Sequence, residues 1–263
     1  MEPTVRVPVL RTPGGEESDA VAVEEPLEIR VGERPLAVTM RTPGDDFDLA
    51  AGFLFTEGVL PSFSAIDAMR HWGSPNVVRV ALREGVSIDW QRLQRHFYAS
   101  SSCGVCGKAS IELVRVHASP VTPLSLDPSV IASLPDRLRA QQTAFAATGG
   151  IHGAGLFTAD GALVVAREDV GRHNAVDKAI GALWGAGTPL ADKVLVVSGR
   201  AGFEIVQKAA VAGIPALVAV GAPTSLAVEL AHEFGVTLLG FVREGRFNVY
   251  AGSTSPDRSD SPA

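Results

Sequence analysis

The chain has 263 residues, 46% of them hydrophobic, and an excess of Asp and Glu over Lys and Arg that gives a formal net charge of -6 at pH 7. A chain of this length can bury one large core, or a core with a smaller lobe attached. Its longest apolar runs are far shorter than the roughly 20 residues of a membrane-spanning helix, and its start lacks the pattern of a signal peptide. The acidic balance is also unlike that of proteins that bind the nucleic-acid backbone. We therefore expect a soluble, cytoplasmic protein that binds neither membranes nor nucleic acid.

Composition along the chain predicts two folded parts between unstructured ends. Residues 1–20 and 251–263 are rich in Pro, Ser, Gly and charged residues, so we expect both ends to be disordered. Residues 21–98 are expected to form a smaller α+β lobe, and residues 99–250 an α/β domain that opens with a cysteine-containing segment.

The elements of the first part follow from local patterns. The segment "AVEEPLEIRVGERPLAVTMRT" predicts two strands joined at Gly32, and "NVVRVALRE" predicts a further strand. Between them, "TPGDDFDLAAGFLFTEG" predicts a turn and then a helix that begins at an acidic cap, Asp45 or Asp46, and ends at Gly58.

Both cysteines of the chain, Cys103 and Cys106, lie in the segment "SSSCGVCGK". A structural zinc site needs four ligands, and the chain offers neither a second cysteine pair nor a suitably spaced histidine pair, so we expect no metal here. Small buried core cysteines are the alternative, but serine and glycine favour an exposed loop. A phosphate-binding P-loop is excluded because Ser102 stands where that motif has glycine. Lys108 can lower the pKa of a neighbouring thiol, which favours reactive thiols.

The second part of the chain alternates strand and helix patterns. A hairpin is predicted around Asp160 and Gly161, and then "NAVDKAIGALWGAG", "KVLVVSG", "FEIVQKAAVAG", "PALVAVG", "SLAVELAHEFG" and "VTLLGFVR" follow in turn. This alternation is typical of an α/β fold in which a mixed, mainly parallel sheet is flanked by helices.

Two strand-to-helix turns are candidate anion sites. Ser198, Gly199 and Arg200 follow one buried strand, and the segment 221–225 follows the next, with Thr224 or Ser225 as a natural cap. Backbone N–H groups and the helix dipole favour anions at such turns, and two of them side by side suit a diphosphate. For each turn alone, an ordinary capped helix is the alternative.

A third polar segment, "REDVGRHNAVDK", groups charged and hydrogen-bonding side chains around Gly171. A charge run is usually a solvated helix face. Arg172, His173 and Asn174, however, are grouped as an anion or a polar ring requires, so we interpret this segment as substrate-binding. If the helix starts near His173, that residue and Asp177 share one face.

Several of these segments resemble the FdhD family of sulfurtransferases, which are required for the activity of formate dehydrogenase. The resemblance rests on "SSCGVCGK", "TGGIHGAGLF", "EDVGRHNAVDKAIG", "SGRAGFEIVQKAAVAGIPALVAVGAPTSLAVELA", "TLLGFVREGRFNVY" and the early "RTPGDDFDLAAGFLFTEG". It implies a protein that takes persulfide sulfur from a cysteine desulfurase and passes it to the molybdenum cofactor before that cofactor enters formate dehydrogenase. It also implies a cytidine-deaminase-like fold for the larger domain and a homodimer.

The resemblance also assigns residues. It implies that Cys103 carries the persulfide, with Cys106 as its partner. It implies that the bis(molybdopterin guanine dinucleotide) cofactor binds as a substrate, without an intrinsic metal, against the segment Phe241, Val242, Arg243, Glu244, Gly245 and Arg246. Ala201 stands where we expect a hydroxyl residue, so the helix that follows lacks a side-chain cap. The alternatives are a chaperone that binds the cofactor without sulfur chemistry, and a thiol oxidoreductase.

Overall fold

The structure is a computed structural model that describes residues 2–90 and 118–254. The cysteine segment, and with it the predictions for Cys103, Cys106 and Lys108, lies outside the described residues. The boundary predicted near residue 98 also lies outside them and stays a prediction.

The chain opens with an antiparallel ribbon of two strands, β1 (Thr4–Arg11) and β2 (Gly15–Ala22), paired along their full length. The prediction that residues 1–20 are disordered is therefore wrong. The prediction rested on the overall composition of residues 1–20. It overlooked a strand-like alternation, in which every second residue from Val5 to Val9 is valine, followed by the turn-forming "TPGG". The ribbon packs on the short helix formed by Thr143–Thr148.

The first lobe is a four-stranded sheet covered on one face by helix α1 (Asp46–Thr56). Its strand order is β4-β3-β6-β5, and β3 and β6 are parallel while the other neighbours are antiparallel. The core between sheet and helix includes the fully buried side chains of Leu27, Leu54 and Val78. The strands are β3 (Glu25–Val31), β4 (Arg34–Arg41), β5 (Ile66–Trp72) and β6 (Ser74–Leu82).

Helix α1 forms where the sequence predicts it, but its start is built differently. Asp45 occupies the cap position in the left-handed region, with φ 54°, and its side chain accepts no capping hydrogen bond. The Asp46 carboxylate is buried and accepts hydrogen bonds from Arg41, at 2.9 Å from Nε. Asp45 thus occupies the cap position as predicted, but its carboxylate does not cap the helix, because it has a tertiary partner 3.5 Å away in Arg167 Nε.

The second part of the chain forms a six-stranded mixed sheet in the order β12-β11-β10-β9-β7-β8. Only β9–β10 and β10–β11 are parallel pairs, whereas the other three pairs are antiparallel. The mixed sheet flanked by helices is confirmed, but the prediction that it is mainly parallel is wrong. The strands are β7 (His152–Thr158), β8 (Leu163–Asp169), β9 (Lys193–Val197), β10 (Ala216–Ala219), β11 (Thr237–Arg243) and β12 (Arg246–Ala251).

The two ends of this sheet explain its mixed character. Tight turns at Gly161 and Gly245, both with positive φ, fold β8 back on β7 and β12 back on β11. Ala251 closes β12 and is buried, so the predicted disordered tail is wrong at that residue. The relation to the cytidine deaminase fold stays a prediction.

Helices cover both faces of the six-stranded sheet. Three of them pack on one face, around buried residues such as Leu195, Leu217 and Leu238, and the helix that contains Ile131 packs on the other. The helices are α2 (Pro128–Arg139), α3 (Thr143–Thr148), α4 (Arg172–Gly185), α5 (Phe203–Val211) and α6 (Ser225–Phe234). Among the residues that the structure describes, no helix is long and apolar enough to cross a membrane.

The two lobes are joined by a very close crossing of α1 and α4. At this crossing, a Cβ atom added to Gly181 would lie 2.0 Å from the Asp48 carbonyl oxygen, and one added to Gly52 would lie 1.9 Å from the Asp177 carbonyl oxygen. Only glycine permits helix backbones to approach this closely. Beside the crossing, the buried Lys208 ammonium lies 2.9 Å from the Asp177 carboxylate.

Candidate functional site

The segments that leave β9, β10 and β11 lie side by side at one edge of the central sheet. The Gly221 amide donates a hydrogen bond to the Gly199 carbonyl at 3.0 Å, and the Phe241 amide donates one to the Gly221 carbonyl at 3.2 Å. A Cβ atom on Gly221 would lie 3.0 Å from the Gly199 oxygen, so glycine allows this approach. The two candidate anion turns are therefore neighbours, as a diphosphate site requires.

A cavity of about 660 Å³ opens at this edge, between α2 and the ends of the strands. Its walls include the apolar side chains of Leu138, Phe145, Ile151, Val220 and Val242. Its polar lining includes Gln142, Arg139, His152, Ser198, Arg243 and Glu244. A largely apolar cavity with a few convergent polar groups is the usual form of a small-molecule site.

The cavity collects four of the residues that the sequence predicts: Ser198, Val242, Arg243 and Glu244. The other predicted residues that the structure describes, such as Arg200 and His173, do not line it. Ser198 also has a structural role, because its hydroxyl accepts a hydrogen bond from the Gly153 amide at 2.9 Å and so links the start of β7 to the end of β9.

The segment from Phe241 to Arg246 has an unusual backbone. Phe241 lies at a bulge of β11 with φ 53°, and 39% of its side chain surface is exposed. Such a conformation in a non-glycine residue costs about 1–3 kcal/mol and concentrates at functional sites. Glu244 and Gly245 form the tight turn, with φ 52° and 75°. Across this turn, Arg246 donates a hydrogen bond to the Glu244 carboxylate at 3.0 Å, so its charge already has a partner.

The helix that follows Arg200 begins only at Phe203, so Arg200 does not lie directly at the helix start as the predicted anion site assumed. Helix α5 starts at Phe203, and its cap residue Gly202 provides no side-chain cap, as expected from the sequence. The amide of Ala201 is already bonded to the Ala222 carbonyl of the neighbouring turn. In the second turn, the Thr224 hydroxyl caps its own helix by accepting from the Ala227 amide. Arg200 and free backbone positions near it thus carry any anion binding at the first turn.

His173 lies beside an acidic residue of the neighbouring helix, but among the described residues its buried Nε2 atom has no hydrogen-bond partner. Its Nε2 atom lies 3.8 Å from the carboxylate of Glu204, which stands in the first turn of α5. The His173 imidazole lowers the pKa of Glu204 to about 2, against the opposing effect of burial, and Arg172 contributes to this shift. A bound anion at this helix start has to compete with the Glu204 carboxylate.

Asn174 joins the two lobes instead of facing the cavity. Its amide nitrogen donates to the Met40 carbonyl at 2.7 Å and to the Asp169 carboxylate at 3.0 Å, and its oxygen accepts from the Thr39 hydroxyl. The buried Lys178 ammonium lies 2.7 Å from the same Asp169 carboxylate. These contacts occupy both amide hydrogens of Asn174, so the structure gives it a role in lobe packing.

The neighbouring residues of the same helix are also engaged between the lobes. Asp177 accepts a hydrogen bond from the Thr56 hydroxyl at 2.7 Å and pairs with Lys208. Burial disfavours the charge of Lys208, but the carboxylates of Asp177 and Glu57 hold the pKa of Lys208 above its ordinary value. His173 and Asp177 are one helical turn apart, but His173 lies beside Glu204 whereas Asp177 pairs with Lys208.

Comparison with known proteins decides the family. The model of the FdhD/NarQ family matches residues 22–257, which is most of the chain. The chain belongs to the FdhD/NarQ family.

Individual FdhD/NarQ relatives agree with this assignment. The chain is 54% identical over 248 residues to a protein of Streptomyces coelicolor named sulfur carrier protein FdhD, covering 89% of this chain and 88% of that one. It is 48% identical over 247 residues to the Mycobacterium tuberculosis protein of the same name, covering 88% and 90%. The crystal structure of a putative formate dehydrogenase accessory protein from Desulfotalea psychrophila superimposes with a TM-score of 0.75 at 27% identity, covering 97% of each chain.

One residue of this FdhD/NarQ site, His152, had no assigned role in the sequence, although it lies in "TGGIHGAGLF", one of the segments on which the family resemblance rests. It begins β7 and lines the cavity, and a Cβ atom on Gly199 would lie 3.5 Å from its Nδ1 atom. Burial, together with the positive charges of Arg172 and His173, lowers the pKa of His152 below 6.5, although Asp169 opposes this. These surroundings therefore favour the neutral imidazole of His152 over its protonated form. The signal was present in "TGGIHG", but it did not show which side chains surround the ring.

We expect His152 to titrate below pH 6.5 in an NMR titration of its imidazole signals. Replacement of Arg172 by Ala should raise this pKa, because it removes one of the two neighbouring positive charges. Arg200→Ala is the matched control, since Arg200 does not contribute to the shift, and it should leave the His152 pKa unchanged. An unshifted pKa in the unmodified protein would contradict the half-buried position of His152 beside Arg172.

The same shift makes stability depend on pH. The unfolded chain binds the His152 proton more tightly than the folded protein does, so this contribution to stability is complete above about pH 6.5 and is lost as the pH falls through the lower, folded-state pKa. His152→Gln should weaken the fall of the unfolding free energy in this pH window.

Proposed function

We propose that this FdhD/NarQ protein is a sulfur carrier that accepts sulfur as a persulfide on Cys103 and delivers it to the bis(molybdopterin guanine dinucleotide) molybdenum cofactor before that cofactor enters formate dehydrogenase. The names of its relatives, sulfur carrier protein FdhD and putative formate dehydrogenase accessory protein, support the sulfur-carrying role and the recipient in this reaction. The observation that carries the proposal is the cavity, which brings Ser198 together with Val242, Arg243 and Glu244.

The cavity suits one part of such a substrate. Its volume of about 660 Å³ accommodates a fused heterocyclic ring between apolar walls, and Arg243 stands where it can pair with a phosphate. The complete cofactor, with two pterins, two diphosphates and two guanines, is larger than the cavity. Its remaining parts would lie outside the cavity, where the neighbouring strand ends offer Gly221 and the partly exposed Phe241.

The sulfur step uses the donor persulfide and the two thiols of the chain, and a thiol reductant completes the cycle. The Cys103 thiolate attacks the terminal sulfur of the donor's cysteine persulfide, the donor's S–S bond breaks, and the donor leaves as a thiolate. Attack by the Cys106 thiolate on the Cys103 sulfur then releases the outer sulfur as sulfide and leaves a disulfide between the two cysteines. The two thiols are oxidised by two electrons and the carried sulfur is reduced by two, so a thiol reductant has to restore the carrier.

Loading of Cys103 tests the proposal. After incubation with a purified cysteine desulfurase and cysteine, we expect mass spectrometry to show the protein heavier by one sulfur atom. Cys103→Ala should lose the adduct and fail to activate formate dehydrogenase, because no thiolate remains to accept the sulfur. Cys106→Ala is the matched control and should keep the adduct.

Two results would contradict the sulfur-carrier function. An adduct that persists in Cys103→Ala places the sulfur elsewhere. A protein that binds the cofactor and supports formate dehydrogenase without any adduct is a cofactor chaperone. The cysteine desulfurase as donor, formate dehydrogenase as recipient and the homodimer are parts of the proposal that the same purified components can test.

A further inference from the structure

The four-stranded sheet of the first lobe has an outer face that carries a row of arginines. Side chains alternate along each strand, so Ile29 and Val78 point into the core while their neighbours point outward. Arg30 of β3 is the register partner of Arg79 of β6, and Arg79 is the register partner of Arg70 of β5. Three arginines thus stand next to one another across three strands; we call them the arginine row.

Three adjacent arginines are unexpected in this protein for two electrostatic reasons. Like charges on directly opposed residues destabilise a sheet, and the protein as a whole carries a net charge of -6. Glu28 lies 3.4 Å from Arg30, and Glu33 pairs with Arg79. Within the part of the chain that the structure describes, Arg70 has no carboxylate partner. Two of the three guanidinium groups are thus paired within the chain, and that of Arg70 adds a positive charge that the described carboxylates do not neutralise.

A tryptophan holds two of these arginines in place. The guanidinium carbons of Arg70 and Arg79 lie 4.8 and 4.5 Å from the centre of the Trp72 ring, which is 43% exposed. Stacking on an aromatic face fixes a guanidinium group while leaving its N–H edge available. Val38 and Met40, exposed by 67% and 46%, lie on the same outer face.

We propose that the arginine row, with Trp72, Val38 and Met40, is a docking surface for an acidic segment of a partner protein. Arginine and tryptophan dominate the binding energy of protein interfaces, and a guanidinium edge pairs with carboxylates in a bidentate way. The exposed apolar side chains beside the row receive the apolar residues of such a segment. This inference does not rest on the sulfur chemistry, because the surface belongs to the first lobe and contains none of the residues that line the cavity.

The indole N–H signal of Trp72 reports on the surface directly. The chain has three tryptophans, so the three indole signals of the full-length 15N-labelled protein can be assigned by substitution. On addition of a hexaglutamate peptide, we expect the Trp72 signal to shift and saturate. Arg70→Ala and Arg79→Ala should each weaken binding about fivefold. Arg70→Glu should remove it, and added salt should weaken it in the unmodified protein.

Arg34→Ala provides the matched control. Arg34 also stacks on a tryptophan, at 4.2 Å from the centre of the Trp90 ring, but Trp90 packs against the core of the lobe. This variant should bind hexaglutamate as well as the unmodified protein does. Each variant is first shown to be folded by circular dichroism.

Three results would overturn the proposal. The first is an absence of any Trp72 shift with hexaglutamate, or an equal shift with hexalysine. The second is an equal loss of binding in Arg34→Ala and Arg70→Ala. The third is a Trp72 shift that requires phosphatidylglycerol vesicles or duplex DNA and is not produced by the peptide, which would make the surface one for lipid or nucleic acid.

Discussion

Replacement of Gly181 by Ala is expected to lower the free energy of unfolding by about 3 kcal/mol or more, at the upper end of the cost of overpacking. The added methyl group would lie 2.0 Å from the Asp48 carbonyl oxygen and 2.6 Å from the Gly52 nitrogen, and both atoms belong to the backbone of α1. A flexible side chain could move aside, but a helix backbone can only shift as a whole. The two lobes would have to separate at their closest contact.

Thermal unfolding measures this effect. A loss of this size corresponds to a fall in Tm of roughly 6–12 °C for a protein of this length. The control is Gly185→Ala in the same helix, where the added Cβ lies 3.4 Å from the edge of the Phe63 ring, an ordinary contact. Alanine also favours a helix over glycine, so this control should leave Tm unchanged or slightly raised. Equal Tm values for both variants would show that the helices do not cross as closely as described.

Much of the fold can be predicted from the sequence because many of its elements depend on short local patterns of residues. The hairpin at Gly161, the helix cap at Thr224 and the strand and helix segments between them each depend on a few neighbouring residues. Pairing direction is different. Nothing local indicates that β7 lies antiparallel to β9, because this depends on where the chain returns after α4, so a rule for βαβ units predicted too many parallel pairs.

The candidate site shows the same division. The two strand-end turns are local signals, and their adjacency follows from the parallel pairing of β9 and β10. Asn174 and Met40, by contrast, are separated by 134 residues, and no property of either indicates that they form a hydrogen bond. The adjacent residues Arg172, His173 and Asn174 were therefore interpreted together as substrate-binding, whereas Asn174 binds the other lobe and His173 lies beside Glu204 of α5.

The two arginines of "FVREGR", Arg243 and Arg246, differ in their position relative to the cavity. Arg243 lines the cavity, whereas Arg246 lies outside its lining and pairs with Glu244 across an exposed turn. Sequence proximity gave both the same expected role. Of these two arginines, Arg243 is therefore expected to contribute strongly to the binding of a phosphate-bearing substrate, and Arg246 is not.

Arg243→Ala is accordingly expected to weaken binding of GDP, used as a probe for one end of the cofactor, by about tenfold, because a charge-assisted hydrogen bond is lost. Arg246→Ala is the matched control and should change the affinity by less than about twofold, since an exposed ion pair contributes little. Isothermal titration calorimetry measures both. Persulfide loading of Cys103 depends on the cysteine segment and the donor, so both variants should form the sulfur adduct normally.

The decisive result is the combination of these measurements. Arg243→Ala should carry sulfur and yet fail to activate formate dehydrogenase, whereas Arg246→Ala should do both, with both variants folded by circular dichroism. Loss of the adduct in folded Arg243→Ala would mean that the sulfur donor docks over the cavity, so that loading and delivery share one surface. Equal loss of GDP binding in the two variants would remove the cavity from the substrate site and place the phosphate contacts on the turn at Glu244 and Gly245. If Arg243→Ala bound GDP normally but failed to activate formate dehydrogenase, Arg243 would act in sulfur transfer and not in nucleotide binding.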